Sequence, residues 1–303
     1  MSDISLNPGT VIFVVDDDPL CQMMIRNMLD PDDVLLIEAD SAAAAWHLLK
    51  DNSAVSVDLV LLDRSLPDGD GLDLLPRLRE LPGMANVPVI IQSGLTGPED
   101  VATGMQMGAF HYLEKPYRRE MLRTLIRVAV RESRERKYLL EQMSRDSDGM
   151  IYMTGVEFQL RTMADVRSLA PCIAQMFPDP ENAVVGISEL MFNAVEHGNL
   201  EIDYAQKGEL LKENVWTQEV ERRLAMPEYR RRTVRVRVDR HDDRIELIIR
   251  DEGTGFDWKK YESLSEERMF DLHGRGILLA RNMCFTGVEY RGVGNEVRCW
   301  VAL

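Results

Sequence analysis

The feature that most constrains the fold of this 303-residue chain is an apolar run that stops abruptly in carboxylates. Residues 11 to 15, VIFVV, carry no polar side chain and are followed at once by Asp16, Asp17 and Asp18. A short run without alternation is the pattern of a strand covered on both faces, as in a parallel sheet. Pro19 then opens a helical segment through Leu29, Val34 to Ile37 reads as the next strand, and 40 to 50 as an alanine-rich helix. The design repeats downstream. VDLVLLD (57 to 63) ends in Asp63, PVIIQSG (88 to 94) carries Ser93 at its end, and HYLEKP (111 to 116) brings Lys115 to the end of a fifth strand. Strands alternating with helices predict an open α/β sheet with right-handed crossovers, and such a sheet gathers the carboxyl ends of its strands along one edge.

Asp16 and Asp17, Asp63, Ser93 and Lys115 therefore converge. Carboxylates a few Å apart raise each other's pKa, so the cluster calls for a compensating cation. Mg²⁺, hard and oxygen-liking, suits it. That ion and Lys115 would neutralise a phosphoryl group added to Asp63, the nucleophile of a covalent step.

With these residues in place, the stretch from about 8 to 127 resembles the receiver domain of bacterial response regulators. The separations of 30 residues from Asp63 to Ser93 and 22 from Ser93 to Lys115 fit that family, as does DRSLPDGDGLDLL. The resemblance implies that Asp63 accepts a phosphoryl group from an upstream sensor histidine kinase. It implies a Mg²⁺ pocket of Asp16, Asp17 and Asp63 with the Ser65 backbone carbonyl as a further ligand. Ser93 is then the switch hydroxyl, Tyr112 the switch aromatic, and Lys115 the lysine before Pro116, with a cis bond between them left open.

The length favours two domains. The net charge of −15 is uneven: −13 over residues 1 to 116, then +4 over 117 to 147. So acidic a chain, without a basic patch interleaved with aromatics, disfavours direct nucleic-acid binding. The arginines of RRTVRVRV (231 to 238) alternate with valines and read as the solvated face of a strand. Cys21, Cys172, Cys284 and Cys299 lack metal-ligand spacing, sit in apolar surroundings and read as buried free thiols. The apolar runs are strand-sized and no signal peptide is apparent, so the protein is expected to be cytoplasmic and not in a membrane. Between 117 and 147 an intermittent apolar stripe predicts a helix, either a rigid spacer or one that pairs with its counterpart in a homodimer.

The second half poses a different question. ELMFNAVEHGN (189 to 199) reads as a helix, yet it places Glu189, Asn193 and then Glu196 or His197 along one face amid apolar residues. A buried amide or carboxylate needs partners, and a cation with phosphates beyond it would satisfy both Glu189 and Asn193. Downstream, RIELIIRDEGTGF (244 to 256) is an apolar strand ending in Asp251 and then Gly253 and Gly255, while HGRGILLARNM (273 to 283) is a glycine-rich turn feeding a helix. Glycines let backbone amides approach a ligand, and a helix start offers N–H groups to anionic oxygens.

That order, over about 150 to 303, resembles the GHKL ATPase fold of histidine kinases and gyrase, and most of all the anti-sigma factors that act as serine kinases. The resemblance implies ATP and Mg²⁺ as cofactors. Asn193 would ligate Mg²⁺, and Glu189 would be general base toward a protein serine or threonine. Asp251 would bind the adenine amino group, Gly253 and Gly255 would shape the base pocket, and Gly274, Arg275 and Gly276 would lie around the phosphates, with His197 at the helix end. Three departures stand out: only 17 residues between Phe256 and Gly274 to serve as a lid, Gly294 and Asn295 where the family often has a threonine, and a long, mostly helical insertion between Asn199 and Thr233.

The expected architecture is thus α/β throughout: a doubly wound five-stranded parallel receiver sheet over 1–127, a helical linker over 128–148, and an α/β sandwich of the GHKL type over 149–303. None of the five histidines, His47, His111, His197, His241 and His273, lies on the linker helix, so a histidine autokinase is not expected. The expected output is a serine/threonine kinase acting on an anti-anti-sigma factor or a sigma factor. The alternative is an ATP-binding protein that sequesters such a partner without catalysis.

Overall fold

The computed structural model describes residues 9–29, 34–51, 56–81, 83–94, 97–143, 149–256, 258, 277 and 280–303. The chain divides into two compact units with their boundary between Glu135 and Arg136.

In the first unit the order is β1 (Thr10–Val15), α1 (Pro19–Met28), β2 (Val34–Ala39), α2 (Ala42–Asp51), β3 (Leu59–Asp63), the short pair β4 (Ser65–Leu66) and β5 (Gly69–Asp70), α3 (Leu74–Glu80), β6 (Val89–Ser93), α4 (Pro98–Gln106), β7 (His111–Glu114) and α5 (Arg119–Glu141), the last from Arg136 on counted with the second unit. Five strands form a parallel sheet in the order β2-β1-β3-β6-β7. The unbroken apolar runs have a direct cause. Phe13, Val15, Val60, Leu62 and Ile91 enter a layer with Leu74, Leu75, Leu78 and Val101. Ile12, Val14, Leu59, Leu61 and Ile90 enter the opposite layer, with Ile25 of α1 and Leu122, Leu125 and Ile126 of α5. Successive strand side chains alternate faces, and here both faces are covered. Asp18 ends this pattern by capping α1, its carboxylate accepting the Leu20 N–H at 2.8 Å with Pro19 at the first helical position.

In the second unit β8 (Gly155–Leu160), α6 (Met163–Ala174), α7 (Pro180–Asn193), α8 (Tyr204–Lys212), α9 (Trp216–Ala225), β9 (Val234–Arg240), β10 (Arg244–Arg250), β11 (Gly287–Arg291) and β12 (Glu296–Ala302) follow one another. Their strands form an antiparallel sheet in the order β11-β12-β10-β9-β8. Val234, Val236 and Val238 of β9 are buried while Arg235 and Arg237 are exposed, the alternation expected of RRTVRVRV. Helices α6 and α7 pack on this sheet through Val166, Ile173, Ile187 and Leu190. A Thr162/Asp165 capping box starts α6, and Asp179 caps α7 ahead of Pro180. Gly186 is required by packing: a Cβ there would stand 2.6 Å from Cys284 Cβ and 2.7 Å from the Phe285 ring. Leu139 and Leu140, near the end of α5, and Met143 beyond it also belong to this core.

The insertion after Asn199 is α8 and α9, and it is tied to the helix that bears Asn193. Past that residue the helix widens into a π-turn over Ala194–Asn199, which turns Glu196 inward. Glu196 is 1% exposed; Lys207 of α8 donates to it at 2.7 Å and the Trp216 indole N–H of α9 donates to its other oxygen. Burial opposes ionisation of Glu196, but the Lys207 charge and these hydrogen bonds prevail and hold its carboxyl below the usual range. No helix among the described residues is long and apolar enough to cross a membrane.

Removing the cation should leave a buried charge without its counterion. Lys207→Met is expected to destabilise the second unit by about 3 kcal/mol in urea unfolding, with Lys207→Met/Glu196→Gln recovering most of the loss. A single variant as stable as the parent would contradict this.

Candidate functional site

Two groups of polar side chains stand at strand ends, one in each unit. In the first unit Asp16 follows β1, Asp63 ends β3, Ser93 ends β6 and Lys115 follows β7. Lys115 Nζ donates to Asp16 Oδ2 at 2.8 Å and to Asp63 Oδ2 at 2.6 Å. Asp16 is fully buried, Asp63 nearly so, and Asp17 exposed. Oxygens of all three carboxylates lie within 4.8 Å of one another, a donor set that fits a hard divalent cation. Burial raises the Asp16 carboxyl above the ordinary range, although hydrogen bonds from Lys115 and from the Asp18 N–H pull it down. Burial also works against the Lys115 charge, but its bonds to Asp16 and Asp63 hold the ammonium well above its usual pKa.

The other sequence-predicted residues surround this pair. The Ser65 N–H donates to Asp63 Oδ1 at 3.1 Å. Ser93 is buried, and its carbonyl accepts the Lys115 N–H at 2.8 Å. Tyr112 is fully buried on β7, and the Lys115–Pro116 bond is cis. Sequence reasoning missed two neighbours. Cys21 Sγ lies 3.9 Å from Lys115 Nζ. Arg64, next to Asp63, donates to the Tyr112 hydroxyl at 3.1 Å and pairs with Asp100 at 2.7 Å. Neither has a periodicity or motif that singles it out.

In the second unit Glu189 and Asn193 are one helical turn apart on α7 and half-buried. Arg136, also missed by the sequence reading, lies in the field of Cys284 and Glu189; burial lowers its pKa against both. His197 is half-buried, with Nδ1 donating to the Ile202 carbonyl and burial lowering its pKa.

Asp251 follows β10 and is buried. Burial pushes its carboxyl up to about 6, against the hydrogen bond it accepts from the Gly253 N–H at 2.8 Å. The turn it begins is pressed against the end of the Asn193 helix. A Cβ at Gly198 would come within 2.4 Å of Asp251 Cγ, and one at Gly253 within 2.3 Å of the Gly198 carbonyl oxygen. Asn199 Oδ1 accepts the Glu252 N–H at 2.8 Å, joining the same two segments. Gly255, at φ 81°, leaves no room for a Cβ beside the Val293 carbonyl. Asn295 receives the Asp251 N–H on its carbonyl at 3.0 Å and directs its side-chain amide to the Asp251 carbonyl at 3.4 Å. Gly274, Arg275 and Gly276, expected around the phosphates, lie outside the described residues, as does the lid stretch apart from Trp258.

Residues 12–127 match the family model of the response regulator receiver domain, and residues 222–300 that of the histidine kinase-like ATPase domain. The chain therefore carries a receiver domain fused to a GHKL-type ATPase domain. The two-component response regulator ARR10 of Arabidopsis thaliana is 35% identical over 130 residues, 43% of this chain and 23% of that protein. The KDP operon transcriptional regulatory protein KdpE of Escherichia coli is 31% identical over 122 residues, 40% of this chain and 52% of that protein. The chain thus spans about a quarter to a half of the length of these two relatives. The solved receiver domain of the Francisella response regulator 1452 is 27% identical and covers 42% of this chain and 99% of its own, with a TM-score of 0.37. Neither family match ties the second domain to anti-sigma factor kinases.

The Asp251 carboxyl has a testable signature. Its pKa is raised from 3.8 to about 6, so the folded state binds the proton more tightly than the unfolded chain. The resulting destabilisation is absent below pH 3.8, grows as pH rises toward 6, and is complete above it, on the order of 3 kcal/mol. Asp251→Asn keeps the acceptor for Gly253 and should stabilise the protein at pH 7.5 by roughly 1–3 kcal/mol, with no gain near pH 4. Urea unfolding at the two pH values checks this; a loss of stability at pH 7.5 would contradict it.

Proposed function

We propose that this protein is a two-component response regulator, phosphorylated on Asp63, that controls an ATP-binding output domain acting as a protein serine/threonine kinase of the partner-switching type. The observation that carries the first half is the Lys115 ammonium bridging Asp16 and Asp63, with Asp17 within reach of the same cation position. A carboxylate oxygen of Asp63 attacks the phosphorus of a phosphohistidine on a sensor kinase. The P–N bond breaks, and Lys115 shares the negative charge of the transferred group. Asp16, Asp17, Asp63 and the Ser65 carbonyl would hold Mg²⁺, which when bound supplies charge neutralisation across the phosphoryl oxygens.

For the output domain, the support is Glu189 and Asn193 on one half-buried helical face, and a buried Asp251 against the end of the same helix. Asp251, ionised at neutral pH, accepts the adenine amino N–H. Asn193 would ligate Mg²⁺ on the triphosphate, with His197 beside it and the Gly274–Gly276 turn around the phosphates. Glu189 removes the proton of a serine or threonine hydroxyl as its oxygen attacks the γ-phosphorus; the bond from that phosphorus to the β–γ bridging oxygen breaks, and ADP leaves. The partner would be an anti-anti-sigma factor or sigma factor, and α5 a site for pairing two copies.

A second reading is sequestration of such a partner without catalysis. It is favoured by Asn295, whose side chain turns to the Asp251 backbone carbonyl where a threonine would offer a hydroxyl near the base.

Two measurements test these readings. With Mg²⁺ and acetyl phosphate the protein should gain one phosphoryl group by intact mass, and Asp63→Asn should gain none; equal labelling of both would remove Asp63 from its role. With labelled ATP and an anti-anti-sigma domain, Glu189→Gln should lower phosphoserine formation at least about a hundredfold with ATP binding retained. Unchanged transfer would remove Glu189 as base, and ATP binding without transfer by the parent would leave the sequestration reading.

A further inference from the structure

The segment that carries Lys115 is tied to β6 twice, once through its backbone and once through a pair of side chains that no proposed step uses. The Lys115 N–H donates to the Ser93 carbonyl at 2.8 Å. Further along, the Tyr117 hydroxyl donates to the side-chain oxygen of Gln92. Gln92 is the register partner of Asp63, and the two follow Ile90 and Leu61, which enter the layer of α1 and α5. Strand side chains alternate faces, so Gln92 stands beside Asp63 on the face toward that layer. Tyr117 packs against the same layer.

Gln92 has no exposed surface, and its amide nitrogen is buried without a partner among the described residues. The Tyr117 hydroxyl is thus the one partner of this side chain there. A buried amide that lost its last hydrogen bond would bear the whole cost of its desolvation, so the pair is firmly held. Burial raises the Tyr117 pKa above its ordinary range, against the nearby Lys115 charge, and the phenol stays a donor. Lysine itself is a point charge on a flexible stem, and its reach over two carboxylates depends on where that stem begins.

We infer that Gln92 and Tyr117 are positioning residues for Lys115: their hydrogen bond anchors the Lys115–Tyr117 segment to the strand beside Asp63, and so holds the ammonium over Asp16 and Asp63. The consequence for phosphoryl transfer rests on the reading of Asp63 as phosphoacceptor, and nothing in it depends on the output domain.

The test reads the ammonium directly, in the full chain labelled with ¹⁵N at the lysine side chains, with the Lys115 line assigned by its loss in Lys115→Met. Lys207, which donates to the buried Glu196 in the second unit, supplies a reference line. Tyr117→Phe and Gln92→Leu should each speed hydrogen exchange at the Lys115 ammonium at least about threefold and leave Lys207 unchanged. Labelling by acetyl phosphate and Mg²⁺, followed by intact mass, should slow at least about threefold in the same variants. Gln92→Leu serves alone should Tyr117→Phe fail to fold. Lys115 exchange at the parental rate in either folded variant would overturn the inference, as would equal acceleration at Lys207, which marks a general loosening. A parent with a Lys207 line but no Lys115 line would overturn it too, since the ammonium is then not held. Faster exchange with labelling at the parental rate would remove the pair from phosphoryl transfer. Should the parent and Asp63→Asn label alike, the Asp63 reading fails, and Lys115 exchange alone decides whether the pair positions the ammonium.

Discussion

The receiver half depends on one ammonium group placed between two carboxylates. Without Lys115, Asp16 and Asp63 would face each other at the ends of adjacent buried strands, and burial already raises Asp16. Like charges so close repel each other, and the ammonium between them relieves that repulsion. Lys115 reaches both at hydrogen-bond distance because β7 ends one residue before it, beside β6 and in step with β3. Three carboxylates against one ammonium leave two negative charges, the charge of one divalent cation. The pocket is thus balanced for an ion, and then for the exchange of electrostatic partners that a phosphoryl group brings.

The second domain handles buried charge in two ways along one helix. Glu196 is paired with Lys207 and Trp216, both from the insertion, and at 1% exposure is out of reach of a ligand from solvent. Glu189, one turn before Asn193, stays half-buried on the face that continues the helix. The insertion is therefore part of what divides the acids of this helix into a structural one and a candidate functional one. Arg223 strengthens the arrangement by donating to the carbonyls of Leu200 and Glu201, where the chain leaves the π-turn.

Much of this was legible in the sequence because burial on two faces and burial on one face write different patterns. VIFVV and the LVLL of VDLVLLD are apolar throughout, and they lie in inner strands of the parallel sheet; RRTVRVRV alternates, and it is a strand with one solvated face. The residues at strand ends were legible for the same reason, since the end of an apolar run is visible without knowing its neighbours. Glu196 and His197 could not be told apart, because the choice is made by a π-turn and by partners 11 and 20 residues further on. Arg64 was illegible because its partners, Asp100 and Tyr112, meet it only through the stacking of β3, β6 and β7. Gly198 is not singled out by the sequence, whereas its missing side chain admits the Asp251 carboxylate.

Asp63 and Asp251 begin from the same local grammar, an apolar strand closing in an aspartate, yet the two sites are suited to different chemistry. Asp63 has a cation in contact and a second cation position adjacent, so charge can be added to it. Asp251 is buried with the Gly253 N–H on its carboxylate, and burial pushes its pKa up to about 6. A carboxylate so held gains little from a further anion and much from a neutral donor, because a hydrogen bond offsets desolvation without demanding a second charge. On the proposed reading, the first environment suits phosphoryl chemistry and the second the recognition of an amino group. The difference lies in what each fold brings beside the strand end: a lysine from the end of β7, two strands away in the sheet, in one, and two glycines that admit backbone in the other.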